Sequence, residues 1–249
     1  MPRIFVVLAS ATVLVFGWMF YQYSVQQKEA VQLSTYETVL REKTEQIFQQ
    51  AQHWEEPIQL NVTDARLTGD YKIMSDFILS QMLQRAEARN QYIRDLKALN
   101  WDKFLDIDRL LKDKKNQYQE TEQMLQQVHA VVDAYEQKTT QQEENGLAQA
   151  KQLAVKQVFR QQIAQSLRDS RDSDESHALF ELEKQSLAKA DELFAVLKAN
   201  KWEKKNKLFM FYEDAPLKQF NQLYTEMLAL NAQMDEIRQK NRSELKQKL

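Results

Sequence analysis

The sequence has 249 residues, with no cysteine, three glycines and three prolines, and its 34 basic side chains nearly balance its 36 acidic ones. The lack of cysteine excludes disulfide bonds, thiol nucleophiles, haem attachment through C-x-x-C-H and lipid attachment at a lipobox. The balance of charge gives no reason to expect nucleic acid or an anionic surface as the main partner.

The scarcity of glycine and proline, which normally make up about 7% and 5% of a protein, indicates the fold class. Tight hairpins and phosphate-binding loops depend on glycine, so both are disfavoured. The composition predicts an all-α chain: an N-terminal transmembrane helix followed by an elongated antiparallel helical bundle with coiled-coil character. Breaker residues place the predicted helices at 4–54, 70–99, 101–138, 147–168, 175–200 and 216–246.

The first predicted helix opens with an apolar run that holds no charged side chain between Arg3 and Lys28. About 20 apolar residues span the hydrocarbon core of a bilayer, and aromatic side chains favour its edges. We therefore expect a membrane anchor over residues 1–27. Its lipid-facing residues would be Ile4, Phe5, Val6, Val7, Leu8, Val13, Leu14, Val15, Phe16, Trp18 and Phe20.

A cleaved signal peptide is the alternative interpretation of this run. It would need small residues after the apolar core, but Ala9-Ser10-Ala11 comes too early and bulky residues follow Gly17. The uncleaved anchor is favoured. Arg3 then keeps the N-terminus in the cytoplasm by the positive-inside rule, which makes 28–249 an extracytoplasmic domain attached to the inner membrane, and periplasmic in a Gram-negative cell.

Heptad spacing marks the helices of this domain. Such stripes need partner stripes to bury them, which predicts an antiparallel bundle. Lys43, Arg89, Lys114 and Thr121 interrupt the stripes and suggest a partly open bundle or a partner at that level. The stripes include Leu33, Leu40 and Ile47; Leu79, Ala86 and Ile93; Phe104, Leu111, Tyr118, Leu125 and Val132; and Phe220, Met227 and Met234.

A weak internal repeat links two of these segments. The sequence "LKALNWDKF" (96–104) resembles "LKANKWEKK" (197–205). One interpretation is a pair of related helical hairpins over 70–140 and 173–246, each with a tryptophan at its bend. Chance similarity between Gln-, Lys- and Leu-rich helices is the other.

The least bundle-like stretch is "KANKWEKKNKLFMFYEDAP" (198–216), in which lysines surround a tryptophan and aromatic residues follow. Basic and aromatic side chains together can bind an anionic membrane or a partner protein. An interhelical turn whose aromatics close the end of the bundle is the other interpretation. The candidate contact patch is Trp202, Lys204, Lys205, Phe209 and Phe211.

The three histidines stand apart from one another and from any E-x-x-H or H-x-x-x-H spacing. The acidic groups Asp102, Asp106 and Asp108, and those at 172–175, lack the glycine-containing loop of a calcium site. We therefore expect no catalytic residue, no metal site and no cofactor.

These observations together predict a non-enzymatic, single-pass scaffold or accessory subunit of a cell-envelope complex. Its partners would be the membrane, through the first helix, and a protein or a second copy of the chain, through helix faces. A ligand-sensing bundle, a soluble exported bundle and a cofactor-carrying bundle are the alternatives. No second apolar run that could carry a sensor's signal back across the membrane occurs in the sequence.

Overall fold

The structure is a computed structural model that describes residues 27–172 and 175–248. It is mostly helical, as predicted, with one small sheet. The elements are α1 (Gln27–Ala51), α2 (Gly69–Ala98), a 3-10 turn (Trp101–Lys103), α3 (Ile107–Lys115), α4 (Gln119–Ala150), α5 (Gln157–Asp172), α6 (Glu175–Ala199), β1 (Trp202–Lys205), β2 (Leu208–Phe211) and α7 (Asp214–Lys248).

The chain divides into two compact units. Unit 1 takes its described residues from the chain up to Gln91, from between Tyr135 and Ser176, and from Arg238 onward. Unit 2 comprises Tyr92–Ala134 and His177–Ile237. Each unit is therefore assembled from segments that are distant in sequence.

In unit 1, α2 packs against several helices at once. Thr44 of α1 donates a hydrogen bond to the Met82 sulfur at 3.7 Å, and the Tyr71 ring lies 6.1 Å from that of Phe159 in α5. A helix enclosed in this way must be buried on more than one face. The buried residues of α2 in unit 1 are Met74, Ser75, Phe77, Ile78, Leu79, Met82, Ala86, Ala88, Arg89 and Asn90.

Gly146, predicted to lie in the break between the helices at 101–138 and 147–168, instead lies inside α4, which continues to Ala150. A Cβ atom at this glycine would lie 2.6 Å from the Gln81 Oε1 atom of α2. Gly146 thus lies against the Gln81 side chain of α2 within a continuous helix, and the chain does not reverse there. The following helix consequently begins at Gln157, ten residues after the predicted start at residue 147.

In unit 2, the prediction of one continuous helix over 101–138 is wrong, because the helix is interrupted at two places in that range. The 3-10 turn precedes α3, and Gln117 and Tyr118 then adopt left-handed φ angles of +57° and +62° before α4 begins. Periodicity does not reveal this break, since Tyr118 keeps its heptad position and is buried. After the break, α4 buries Thr121, Leu125, Val128 and Val132 at alternating spacings of four and three.

The expectation that the chain forms no tight hairpin is also wrong. Strands β1 and β2 pair antiparallel, with Trp202 opposite Phe211 and Lys205 opposite Leu208. The two connecting residues, Asn206 and Lys207, take φ angles of +51° and +63°, as in the mirror-image turns that suit hairpins. Asparagine tolerates this conformation without glycine, which is why glycine scarcity did not exclude the turn.

Among residues 27–172 and 175–248, no helix combines the length and the apolar character needed to cross a bilayer. The predicted anchor side chains, from Ile4 to Phe20, lie outside the described residues.

Candidate functional site

The hairpin of β1 and β2 in unit 2, which carries the predicted contact patch, has an inner and an outer face. Trp202 points inward and is only 2% exposed. Its indole N–H donates to the Tyr118 hydroxyl at 2.8 Å and to the Leu197 carbonyl at 3.1 Å. The ring predicted to contact a partner is therefore a core side chain whose polar atom is satisfied inside the unit.

Lys114 of α3 closes over this tryptophan. Its ammonium lies 4.5 Å from the centre of the Trp202 ring and donates a hydrogen bond to the Trp202 carbonyl. Burial lowers the pKa of the Lys114 ammonium and raises the pKa of the Tyr118 hydroxyl. The ammonium is held by the ring and the carbonyl, and the part of the chain that the structure describes offers it no ion pair.

Phe209 and Phe211 complete the inner face. The Phe209 ring lies 5.1 Å from that of Trp202 and 5.0 Å from that of Phe220 in α7. Phe211 lies 5.5 Å from the same Phe220 ring, which stacks on Tyr224 at 6.4 Å. This aromatic cluster fixes the hairpin to α7, so the face turned away from it is presented in a defined orientation.

The two predicted patch lysines differ in their surroundings. Lys204 is half-buried and forms an ion pair with Asp108 of α3. Lys205 is exposed, and no ion pair within the described segments involves it. Of the five patch residues, Lys205 is thus the one left fully at the surface with its charge uncompensated.

The outer face of the hairpin carries residues that the patch prediction missed. Leu208 is 63% exposed and Tyr212, just after β2, is 69% exposed. Met210 is also exposed. The Tyr212 hydroxyl donates to the Glu203 carboxylate at 3.1 Å, which raises the pKa of Tyr212. Every residue of "LFMFY" is apolar or aromatic, so the sequence alone gives no sign of which ones face outward.

A second exposed apolar feature lies on α7. Tyr224 and Leu228, one helical turn apart, are respectively 42% and 50% exposed. They lie beside a buried stripe that includes Phe220, Leu223 and Met234. We call this pair the α7 ridge.

A buried polar network joins α3 to the start of α4. The Asp113 carboxylate, 2% exposed, accepts the backbone N–H groups of Glu120 at 3.0 Å and Thr121 at 2.8 Å, and the Thr121 hydroxyl at 2.6 Å. A carboxylate at a helix N-terminus satisfies free N–H groups and complements the helix dipole. Arg109 adds bonds to the Phe104 carbonyl at 2.6 Å and to the Thr121 hydroxyl at 3.0 Å.

The polar residues that interrupt the heptad stripes thus find partners within the chain. Lys43 donates to the Asn61 carbonyl at 2.9 Å, and the guanidinium of Arg89 lies 5.6 Å from the centre of the Tyr135 ring. Lys114 and Thr121 make the contacts given above. The polar groups of these four side chains therefore have partners without a second molecule.

The histidines occupy separate surface positions. His129 lies 2.9 Å from the Asp191 carboxylate, His177 lies 3.9 Å from Glu181, and His53 is exposed. Asp102 pairs with Lys97, and Asp106 caps α3 by accepting the Arg109 backbone N–H. Within the described ranges, no three His, Asp or Glu side chains gather as a metal site would require.

Unit 1 contains an open cleft of about 620 Å³ along α5. Its described lining holds three cations, Lys151, Arg160 and Arg168, together with glutamines 157, 161, 162 and 165. Arg160 donates to the Leu153 carbonyl at 3.2 Å and Arg168 to the Gln165 side chain at 3.1 Å. Such a lining suits an anion better than a cation.

Comparison with known protein families, characterised proteins and solved structures finds no match for this chain.

Proposed function

We propose that the chain is a single-pass membrane-anchored helical scaffold that acts, without catalysis, as an accessory subunit of a cell-envelope complex. The observation that carries this proposal is the uncharged apolar run from Ile4 to Phe20, which precedes a chain of packed helices. A run of that length is stable in a bilayer.

The α7 ridge supports a role in protein binding. Tyr224 and Leu228 have the one-turn spacing with which a helix presents anchors to a partner groove or helix. Large apolar side chains left in water at such spacing favour contact with another molecule. The proposed partner is a membrane or envelope protein that contributes a complementary apolar surface.

Two measurements test the anchor. Alkaline carbonate washing of membranes should leave the full-length chain in the pellet, and mass spectrometry should find a mature N-terminus at or next to residue 1. In the matched variant Val13→Asp, the chain should be released from the membrane pellet into the carbonate supernatant. A mature N-terminus near residue 25 would instead identify a soluble exported protein.

The protein contact is tested separately with a photo-crosslinking residue at Leu228 in intact cells. We expect one reproducible adduct of defined mass, lost when Tyr224 is changed to Glu. The same crosslinker at exposed Gln127 of α4 serves as the control. An adduct of twice the chain's own mass would assign the ridge to self-association, and equal yields at both positions would refute a specific contact.

A ligand-sensing bundle is the second candidate, and the cation-lined cleft of unit 1 is the observation that favours it. Small polycarboxylates or phosphates would be the matching ligands. Isothermal titration of the full-length chain with citrate and with inorganic phosphate, repeated with Arg160→Ala and Arg168→Ala together, tests it. Binding that persists in the double variant, or no binding by the parent chain, would remove this candidate.

A further inference from the structure

We infer that the outer face of the hairpin binds the surface of an anionic lipid bilayer. Leu208 and Met210 would enter the boundary between headgroups and acyl chains, and Lys201, Lys205 and Lys207 would lie at the level of the lipid phosphates. This inference rests on the proposed membrane anchor, which keeps unit 2 close to a bilayer, and it assigns a second, separate contact with that bilayer.

The geometry separates the two faces of the hairpin. Trp202, Phe209 and Phe211 point inward against Phe220, while Leu208 and Met210, at the alternate positions of β2, point to solvent. Successive side chains of a strand face opposite sides, so tying one face to the core aims the other outward. The face is rigid before it binds, which lowers the entropy lost on docking.

Charge complementarity points to an anionic surface. Lys201, Lys205 and Lys207 are all exposed, and none forms an ion pair in the part of the chain described. Lys204 is already paired with Asp108. Glu203, an exposed carboxylate on the same face, accepts a hydrogen bond from Tyr212. Lys207 also helps to lower the pKa of Asp108, although the two form no ion pair. Three exposed lysines therefore outnumber the one carboxylate of the two strands and surround the exposed aliphatic side chains, and their long stems let the ammonium groups reach phosphates while the aliphatic residues insert.

The chemistry and the size of this face favour lipid over a protein or a nucleic acid. Each strand has only four residues, whereas a stable protein interface buries about 800 Å² on each partner. Single-stranded nucleic acid is bound by several outward aromatic rings on which successive bases stack, but Phe209 and Phe211 are turned inward and only Tyr212, among residues 201–212, exposes its ring. A bilayer interface accepts small aliphatic insertions together with lysines and a tyrosine at headgroup level.

The absence of native cysteine allows a single spin label to be placed on the full-length chain. We would reconstitute Leu208→Cys, labelled with a nitroxide, into phosphatidylcholine vesicles with or without phosphatidylglycerol. The matched control is Val158→Cys, which replaces an exposed apolar side chain of unit 1 that is distant in sequence from the anchor. Circular dichroism verifies that each labelled chain is folded.

In vesicles that contain phosphatidylglycerol, we expect the Leu208 label to become accessible to oxygen and protected from an aqueous nickel chelate. In phosphatidylcholine alone, and at Val158 in both lipids, the label should stay accessible to nickel. Changing Lys201, Lys205 and Lys207 to Gln should lower the bound-to-free ratio of the hairpin about fivefold per lysine, roughly a hundredfold in total, at low salt.

Flotation of the same vesicles distinguishes the two proposals. If the chain does not float, the proposed anchor fails. If the chain floats but the Leu208 label remains accessible to nickel in both lipids, the anchor stands and the lipid-binding face is refuted. A photo-crosslinker at Tyr212 that captures a protein in cells, with no lipid adduct, would likewise overturn the assignment to lipid.

Discussion

The two tryptophan-bearing stretches of unit 2 have similar sequences and different structures. Leu96–Lys97–Ala98 and Leu197–Lys198–Ala199 close α2 and α6 with the same three residues. Trp101 then enters a 3-10 turn, half-buried, with its ring 4.8 Å from Phe104. Trp202 enters a strand and is buried. The same residue type at the same distance from a helix end therefore serves a surface turn in one stretch and the core in the other.

Part of the difference lies at the helix ends themselves. Asn100 takes a left-handed φ of +55° immediately after α2, which reverses the chain before Trp101. In the second stretch the asparagine stands one place earlier, and the Asn200 side chain donates to the Val196 carbonyl at 2.8 Å. That bond satisfies a carbonyl at the end of α6 and leaves the chain extended towards Trp202.

The residues after each tryptophan decide the rest. In the first stretch, Asp106 caps α3 through the Arg109 N–H at 2.9 Å, so a helix begins. In the second, Asn206 and Lys207 form a turn and β2 returns along β1. The secondary structure that follows a repeated motif therefore depends on the capping and turn residues next to it.

The largest difference in stability is expected when each tryptophan is replaced by alanine. Trp202→Ala removes a buried ring and both of its hydrogen bonds, and we expect a loss of about 3–5 kcal/mol in the free energy of unfolding. Trp101→Ala removes a half-exposed ring and should cost about 1 kcal/mol. Urea unfolding of the full-length variants in mild detergent measures both. Equal losses would mean that the two tryptophans have equivalent roles after all.

A smaller loss is expected from the two aspartates that start helices after Trp101. Asp113→Ala leaves the buried N–H groups of Glu120 and Thr121 without an acceptor and should cost about 3 kcal/mol. Asp106→Ala removes an exposed cap and should cost about 1 kcal/mol. Hydrogen exchange should show faster opening of the first turn of α4 in the Asp113 variant alone. Similar exchange in both variants would contradict the central role of Asp113.

Much of the helical framework could be predicted from residue spacing. Leu125, Val128 and Val132 of α4 are buried at the predicted heptad positions, because the spacing that forms a stripe on one helix face also turns it to the core. Phe220 and Met234 of α7 follow the same rule. The anchor over residues 1–27 stays a prediction, since the side chains of its apolar run lie outside the described residues.

The site itself was less accessible to prediction, for a physical reason. Apolar residues occupy every position from Leu208 to Phe211, so a strand with two different faces carries no alternation that would identify it. Trp202 was placed in the candidate contact patch because lysines surround it, beside the alternative of a turn whose aromatics close the bundle, and Lys114, distant in sequence, stacks on its ring. Gly146 likewise was predicted to lie between two helices because glycine commonly breaks a helix, and its contact with Gln81, distant in sequence, could not be foreseen.

Substitutions at the turn residues of the two stretches should change stability by smaller amounts, and some of these changes should have opposite signs. Lys207 holds a φ of +63°, which costs a residue with a Cβ atom about 1 kcal/mol, so Lys207→Gly should stabilise the chain by up to that amount. Lys207→Val should destabilise it, since β-branched residues fit this region worst. Asn100→Gly, at the other helix end, should change stability by only a few tenths of a kcal/mol. Urea midpoints for the three variants measure the order, and a destabilised Lys207→Gly would contradict the turn geometry.

The smallest effect concerns one exposed ion pair in each stretch. Lys204 lowers the pKa of Asp108, and Lys97 lowers the pKa of Asp102 by a hydrogen bond of 2.7 Å. A carboxyl whose pKa is lower in the folded state adds stability above its unfolded pKa, about 4, and that stability is lost as the pH falls through the folded value.

Carbon-13 NMR titration of the two carboxyl groups between about pH 2 and 6 measures these pairs directly. Lys204→Gln should raise the pKa of Asp108 towards its usual range and leave Asp102 unchanged, and Lys97→Gln should do the reverse. Because the Asp108 pair joins the hairpin to α3, Lys204→Gln should also speed hydrogen exchange in β1, whereas Lys97→Gln should not. If both variants left β1 exchange unaltered, the ion pair would not hold the hairpin, and the aromatic cluster around Phe220 together with the hydrogen bonds of Trp202 would account for its attachment.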